Sequence, residues 1–145
     1  MDRIYINTDG GSRGNPGPAA IGIVFFTATG KEIHSYNKFI GKATNNEAEY
    51  QAIIKALDIL VRSKWFSENN VAEKEVICRL DSQLVVEQVN GNYKIKQEHI
   101  KLLIAQIRQM VSQIHLNISF VYVPREENKI ADKLVNKALD RELKK

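Results

Sequence analysis

Three of the six aspartates in this 145-residue chain fall where one element gives way to the next. Asp9 follows one alternating apolar run, Asp81 follows a second, and Asp132 lies in the first turns of the last helical pattern. In open α/β sheets, sites form outside the carboxyl ends of parallel strands. If the strands ending at Asp9 and Asp81 are neighbours, their two carboxylates stand side by side. Ionised carboxylates that close repel, and one takes up a proton unless a cation compensates. A hard divalent ion such as Mg²⁺ suits that role, because it takes oxygen ligands and keeps part of its water shell. Each aspartate also has an ordinary reading as a turn or capping residue. Asp81 in Leu80-Asp81-Ser82 can cap the next helix, while Asp58 and Asp140, mid-helix among polar neighbours, read as solvated. Position alone leaves both readings open.

The elements that would carry these residues follow from periodicity. Arg3 to Thr8 alternates as a strand, and the glycine-rich stretch Asp9 to Pro18 reads as a loop without regular structure. Ala20 to Thr27 and Glu32 to Ile40 are two further strands, close enough to Thr29-Gly30 to form antiparallel hairpins. Thr44-Asn45-Asn46-Glu47 matches a capping box, in which Thr44 and Glu47 satisfy opposite orphan amides. The helix it opens carries Ile53, Ala56, Leu57, Leu60 and Val61 as one apolar stripe and ends around Trp65. Glu75 to Leu80 is a strand whose apolar run predicts burial on both faces. A short helix over Ser82 to Val89 stops at Asn90-Gly91-Asn92, and a long one runs from Gln97 to Ile114. Asn117 to Val123 is the fifth strand, and the last helix begins near Asn128, with Glu126 and Glu127 placed to favour its N-terminal dipole. The order predicts an α/β domain with a five-stranded mixed sheet: three antiparallel meander strands, then two strands parallel to the first.

Composition sets the outer limits. Hydrophobic residues are 43% and charged residues 26% of the chain, the balance of a globular domain, and the net charge of +4 is compatible with a polyanionic partner. A single domain is expected over 1–145, with a core from about 3 to 140 and a short basic C-terminal tail. The one cysteine, Cys78 in Val76-Ile77-Cys78, reads as a buried structural thiol. No apolar signal core follows Met1-Asp2-Arg3, and Pro18 to Phe26 falls far short of the ~20 residues of a membrane span. The expectation is a soluble, cytoplasmic monomer.

Four segments tip the balance between turn residues and a metal centre. Thr8-Asp9-Gly10-Gly11-Ser12-Arg13-Gly14-Asn15-Pro16-Gly17-Pro18 closely resembles the opening signature of type 1 ribonucleases H. Thr44-Asn45-Asn46-Glu47-Ala48-Glu49-Tyr50, Leu80-Asp81-Ser82-Gln83 and Asn128-Lys129-Ile130-Ala131-Asp132-Lys133-Leu134 resemble the second, third and fourth motifs, in family order. The resemblance runs from about Arg3 to Leu139. It implies a ribonuclease H-like fold, with the family's catalytic and metal-binding carboxylates falling on Asp9, Glu49, Asp81 and Asp132. Of the two glutamates in the second motif, Glu47 holds the capping-box position and Glu49 precedes the apolar residue of the family's pattern, so the resemblance gives the catalytic role to Glu49.

The resemblance implies hydrolysis of the RNA strand of an RNA–DNA hybrid by two Mg²⁺ ions roughly 3.5–4 Å apart, with Mn²⁺ as a substitute. Asp9 would bridge both ions, with Asp132 on the water side and Glu49 and Asp81 on the leaving-group side. The products would carry 5′-phosphate and 3′-hydroxyl ends. Discrimination rests on the 2′-hydroxyl, and the resemblance places RNA contacts at the Gly11, Ser12 and Arg13 backbone, Asn15, Asn45, Asn46 and Gln83. Thr44 would touch a phosphate of the DNA strand or serve only its cap. Arg13 would add a phosphate contact or lie solvated. A broader ribonuclease that also cuts double-stranded RNA, a non-catalytic hybrid-binding module and the nuclease part of a reverse-transcribing polyprotein are the alternatives.

Two features depart from the pattern. Many family members carry a histidine in a loop before the fourth motif, and here that stretch is Val123-Pro124-Arg125-Glu126-Glu127-Asn128. His34, His99 and His115 lie elsewhere and read as surface or core residues. The stretch Asn90 to Gln97 is also too short for the basic protrusion that many bacterial members use to grip the hybrid; Tyr93, Lys94 and Lys96 are the nearest substitute. Slower turnover and more salt-sensitive binding are expected.

Overall fold

The computed structural model describes residues 3–69, 74–114 and 117–144, so the reading of His115 lies outside the described residues. Strands β1 (Arg3–Ser12), β2 (Gly17–Thr27) and β3 (Glu32–Ala43) form an antiparallel meander. Strands β4 (Glu75–Leu80) and β5 (Asn117–Tyr122) extend it in parallel, giving the order β3-β2-β1-β4-β5. This is the predicted mixed sheet, with β1 at its centre and β4 beside it.

Alternation along β1 and β2 divides the core between two faces. Ile4, Ile6, Ile21, Ile23 and Phe25 join Val76, Cys78 and Leu80 of β4 on one face, under α1 (Asn45–Arg62) and α4 (Glu98–Ile114). There Ile53, Leu57 and Leu60 meet Ile100, Ile104 and Ile107. The short helices α2 (Lys64–Glu68) and α3 (Gln83–Val89) complete that layer through Phe66, Val85 and Val86. On the other face α5 (Lys129–Leu143) packs across β1, β2 and β3, with Val135, Ala138 and Leu139 against Ala20. No helix among the described residues is long and apolar enough to cross a membrane.

The structure departs from expectation in four places. The glycine-rich stretch is largely strand: β1 continues through Gly10, Gly11 and Ser12, which pair with Ile21, Ala20 and Ala19 of β2. Asp9 therefore sits inside the strand, opposite Gly22, rather than after it. Glycines that suggest a loop are here the points where helices press against the sheet. A Cβ on Gly10 would overlap the backbone of Ala48 and Glu49 in α1, and one on Gly22 would overlap the Ala131 carbonyl in α5. Gly10→Ala is accordingly expected to destabilise the fold by about 1–3 kcal/mol, read from chemical unfolding; an unchanged midpoint would show that α1 can retreat freely.

Secondly, β4 alternates instead of burying both faces. Val76, Cys78 and Leu80 are buried, while Glu75, Ile77 and Arg79 are half-buried, because α5 reaches only β1 to β3. Arg79 closes part of that open face: its guanidinium lies 4.3 Å from the Tyr5 ring centroid and 5.8 Å from that of Phe26. Thirdly, α1 ends at Arg62, the extended residue Ser63 separates it from α2, and Val61 is exposed rather than part of the stripe. Lastly, β3 runs on to Ala43, past a register shift beside Ala19 and Ala20. Cys78 is buried as expected, and burial pushes its thiol up to about 12.

Candidate active site

Each carboxylate arrives on a different element, fixed by a local device. Asp9 lies mid-β1 and is nearly buried. At the start of α1 the capping box forms as read: the Glu47 amide donates to Thr44 Oγ1 at 3.1 Å, and the Thr44 amide to Glu47 Oε1 at 2.8 Å. That occupies Glu47. Two residues on, Glu49 is turned into the protein and is buried where α1 presses on Gly10. Asp81 follows β4 directly, and it does not cap α3: the Val85 amide donates to Ser82 Oγ at 3.3 Å. Its carboxylate is left to the groove.

Asp132, in the first turn of α5, depends on Asn128. The Asn128 side chain is completely buried and donates through Nδ2 to the Thr8 carbonyl at 2.9 Å, while the Asn128 backbone carbonyl accepts from the Asp132 amide at 3.1 Å. The start of α5 is thereby tied to the stretch of β1 that carries Asp9. Asn7 adds a parallel tie, accepting from Arg79 Nε at 2.7 Å and donating to the Glu127 carbonyl at 3.4 Å.

Carboxylate oxygens of Asp9, Glu49 and Asp81 lie within 4.8 Å of one another. Asp132 lines the same groove and acts electrostatically on both Asp9 and Asp81, standing outside that tight trio. Burial first, and the Asp81 charge second, push the Asp9 carboxyl up to about 7. Burial pushes Glu49 well upward, and Asp9 adds to it. Asp81 is raised by burial too, against the pull of an Asn128 hydrogen bond and the Arg125 charge. Glu49 Oε2 is buried with no hydrogen-bond partner. An unpaired buried acceptor among crowded acids is what a hard cation satisfies, and an all-oxygen donor set fits Mg²⁺ or Mn²⁺.

A groove of about 410 Å³ opens over these acids. Of the residues expected to contact substrate, Gly11, Ser12, Arg13, Asn45 and Asn46 line it; Asn15, Thr44 and Gln83 stand off it. Asn15 acts on the groove indirectly, its Oδ1 accepting from the Asn45 amide at 2.9 Å. Asn45 Oδ1 in turn accepts from the Ser12 amide at 2.9 Å, which leaves its NH₂ group to donate outward. Gln83 is exposed at the start of α3.

Arg13 and Asp140 are not solvated singly. Arg13 Nη2 reaches across the groove to Asp140 Oδ1 at 2.7 Å and Asn136 Oδ1 at 3.4 Å. Arg125, Ser82 and Asn136 also line the groove, and the sequence reading assigned none of them. Arg125 was the legible one, a cation in the stretch that lacks a histidine. His34 and His99 are not among the lining residues; His34 lies against Phe25 and His99 is 3.9 Å from Glu47.

Residues 7–138 match a family described as Reverse transcriptase-like. LC11-RNase H1, isolated from compost, is 43% identical and superposes with a TM-score of 0.89 over 99% of each chain. The chain belongs to the type 1 ribonuclease H family. A second structure of LC11-RNase H1, also 43% identical with a TM-score of 0.89, covers 97% of this chain and 99% of that one and holds an RNA/DNA hybrid. The ribonuclease HI of Halobacterium salinarum is 36% identical over 138 residues, 95% of this chain and 65% of that protein. A bifunctional protein of Mycobacterium tuberculosis is 40% identical over 139 residues, 95% of this chain and 36% of that protein. The chain thus spans about a third of its mycobacterial relative.

Proposed function

We propose that this protein is a metal-dependent endonuclease that hydrolyses the RNA strand of RNA–DNA hybrids, leaving 5′-phosphate and 3′-hydroxyl ends. The observation that carries this is the crowding of Asp9, Glu49 and Asp81 within 4.8 Å at the floor of an open groove, with one Glu49 oxygen unpaired. A relative that shares nearly its whole fold is found with such a hybrid, which supports the choice of substrate.

Asp9, Glu49, Asp81 and Asp132 would hold two divalent ions, which would supply charge neutralisation, an activated water and a stabilised leaving oxygen. The chain's own residues do the rest. Gly11 brings bare backbone to the groove wall, so a sugar can approach with its 2′-hydroxyl against the chain. The Asn45 amide, its oxygen already engaged by Ser12, presents only donors to acceptors on that strand. Arg125, beside Asp81, offers a guanidinium fork to a phosphate oxygen.

The test is cleavage of labelled hybrid, double-stranded RNA and double-stranded DNA with Mg²⁺, Mn²⁺ or EDTA. Nicking of the RNA strand of the hybrid only when metal is present is expected. Equal cleavage in EDTA would remove the metal assignment; tight hybrid binding without cleavage in either metal would make the protein a binding module. Comparable cutting of duplex RNA would widen the substrate class.

A further inference from the structure

We propose that the outward face of α5 is a second contact for the phosphate backbone, engaging hybrid that runs past the carboxylate groove; this rests on the substrate class proposed above. Lys129, Lys133, Lys137 and Arg141 recur at every fourth residue of α5, and all four are exposed. Residues four apart on a helix are neighbours, so the four cations form one ladder about 18 Å long. That length matches the rise of roughly five nucleotides on one strand.

The ladder is unfavourable by itself. Like charges four residues apart destabilise a helix, and Lys129, the first residue of α5, sits where the helix dipole disfavours a cation. Within the helix, the acids three residues beyond Lys129 and Lys137 are committed elsewhere, and Glu126 and Glu127, which share a hollow with Lys129, form no ion pair with it among the described residues. Asp132 faces the groove and Asp140 is bridged to Arg13 at 2.7 Å. None of the four cations forms a salt bridge or side-chain hydrogen bond among the described residues. Four unneutralised cations in a row are suited to a polyanion.

Placement selects which polyanion. Asp132, Asn136 and Leu139 of the same helix line the groove, so the ladder starts on the flank next to it at Lys129 and Lys133 and winds away from it toward Arg141. A strand leaving the groove over Asn136 meets Lys133 and then Lys137 within about 100° around the helix. The stretch from Asn90 to Gln97, which links α3 and α4 of the other layer, offers only Lys94 and Lys96, so the ladder supplies grip from the opposite face of the sheet.

The test compares the protein with a variant carrying Lys129→Gln, Lys133→Gln, Lys137→Gln and Arg141→Gln. Two hybrids are used, one just covering the groove and one extended by about two helical turns. Binding is followed by fluorescence anisotropy across a salt series, and cleavage separately in Mg²⁺. For the extended hybrid we expect at least about tenfold weaker binding and a log–log salt slope shallower by about 3, at just under one unit per phosphate contact. Binding of the short hybrid and kcat at saturation should not change, and a Lys→Arg version of the three lysines should bind as the parent does. Unchanged affinity and slope on the extended hybrid overturn the proposal. Equal losses on both lengths also overturn it, since they mark a general field effect. If the parent protein binds hybrid without cutting it, the catalytic reading falls while the anisotropy result still decides this one.

Discussion

Asp9→Asn is expected to reduce hybrid cleavage by at least about a thousandfold while making the metal-free protein more stable. A thousandfold corresponds to about 4 kcal/mol of barrier, within reach of losing a central charged ligand from a catalytic metal centre. The gain in stability has the same origin. Asp9 stands in a strand interior within 4.8 Å of the Glu49 and Asp81 oxygens, and its exchange for a neutral amide of nearly the same shape removes repulsion that otherwise only a cation or an acquired proton relieves. Single-turnover cleavage and thermal unfolding in EDTA measure the two halves. Full activity would take Asp9 out of the centre; a lower unfolding temperature would show that the amide breaks more than it relieves.

The second large effect is a fall in stability of the metal-free protein as pH rises. In the folded protein Asp9 is pushed up to about 7 from an ordinary 3.8, by burial first and Asp81 second. The fold therefore holds a proton that the unfolded chain has already released. The associated stability is fully present below about pH 4 and is lost as pH climbs through about 7. Glu49 moves in the same direction for the same leading cause. For Asp9 alone the loss is on the order of 4 kcal/mol, or about 10 °C in unfolding temperature for a chain of this size. Glu47, lowered by its hydrogen bond from the Thr44 amide, works oppositely, its contribution disappearing only as pH falls at the acid end. Mg²⁺ should restore the lost stability near neutral pH and do little in acid, where the ligands are protonated. Differential scanning fluorimetry in EDTA and in Mg²⁺ across this range decides it. A flat metal-free profile without a metal response would mean that the acids are not crowded in solution.

These expectations rest on residues that differ in how plainly the sequence exposed them. Asp81 and Asp132 stood out because their element boundaries are legible from periodicity. Asp9 stood out because the glycines after it read as the end of a strand that in fact continues. The parallel placement of β4 beside β1 brought Asp9 and Asp81 together. Glu49 needed the family resemblance, and the capping box that occupies Glu47 sharpened that choice. The strand through Gly10 and Gly11 was hidden because bare backbone gives no alternation to read; its reason lies in α1 and α5, which press on it from both faces. The Arg13–Asp140 bridge joins residues 127 apart and depends on the angle at which α5 crosses the sheet. Burial of β4 was overestimated for a related reason: its apolar run says nothing about which strands a helix on the far face will cover.

The tie between Asn128 and the Thr8 carbonyl has a consequence for the life of the chain on the ribosome. Synthesis runs from β1 onward, and α5 emerges after the other elements described above. Until it docks, Asp132 is missing from the groove and the stretch of β1 beside Asp9 lacks its clamp. A nascent or truncated chain ending before α5 cannot present the full set of acids to nucleic acid. The set of four acids is thus completed only when α5 docks on the sheet.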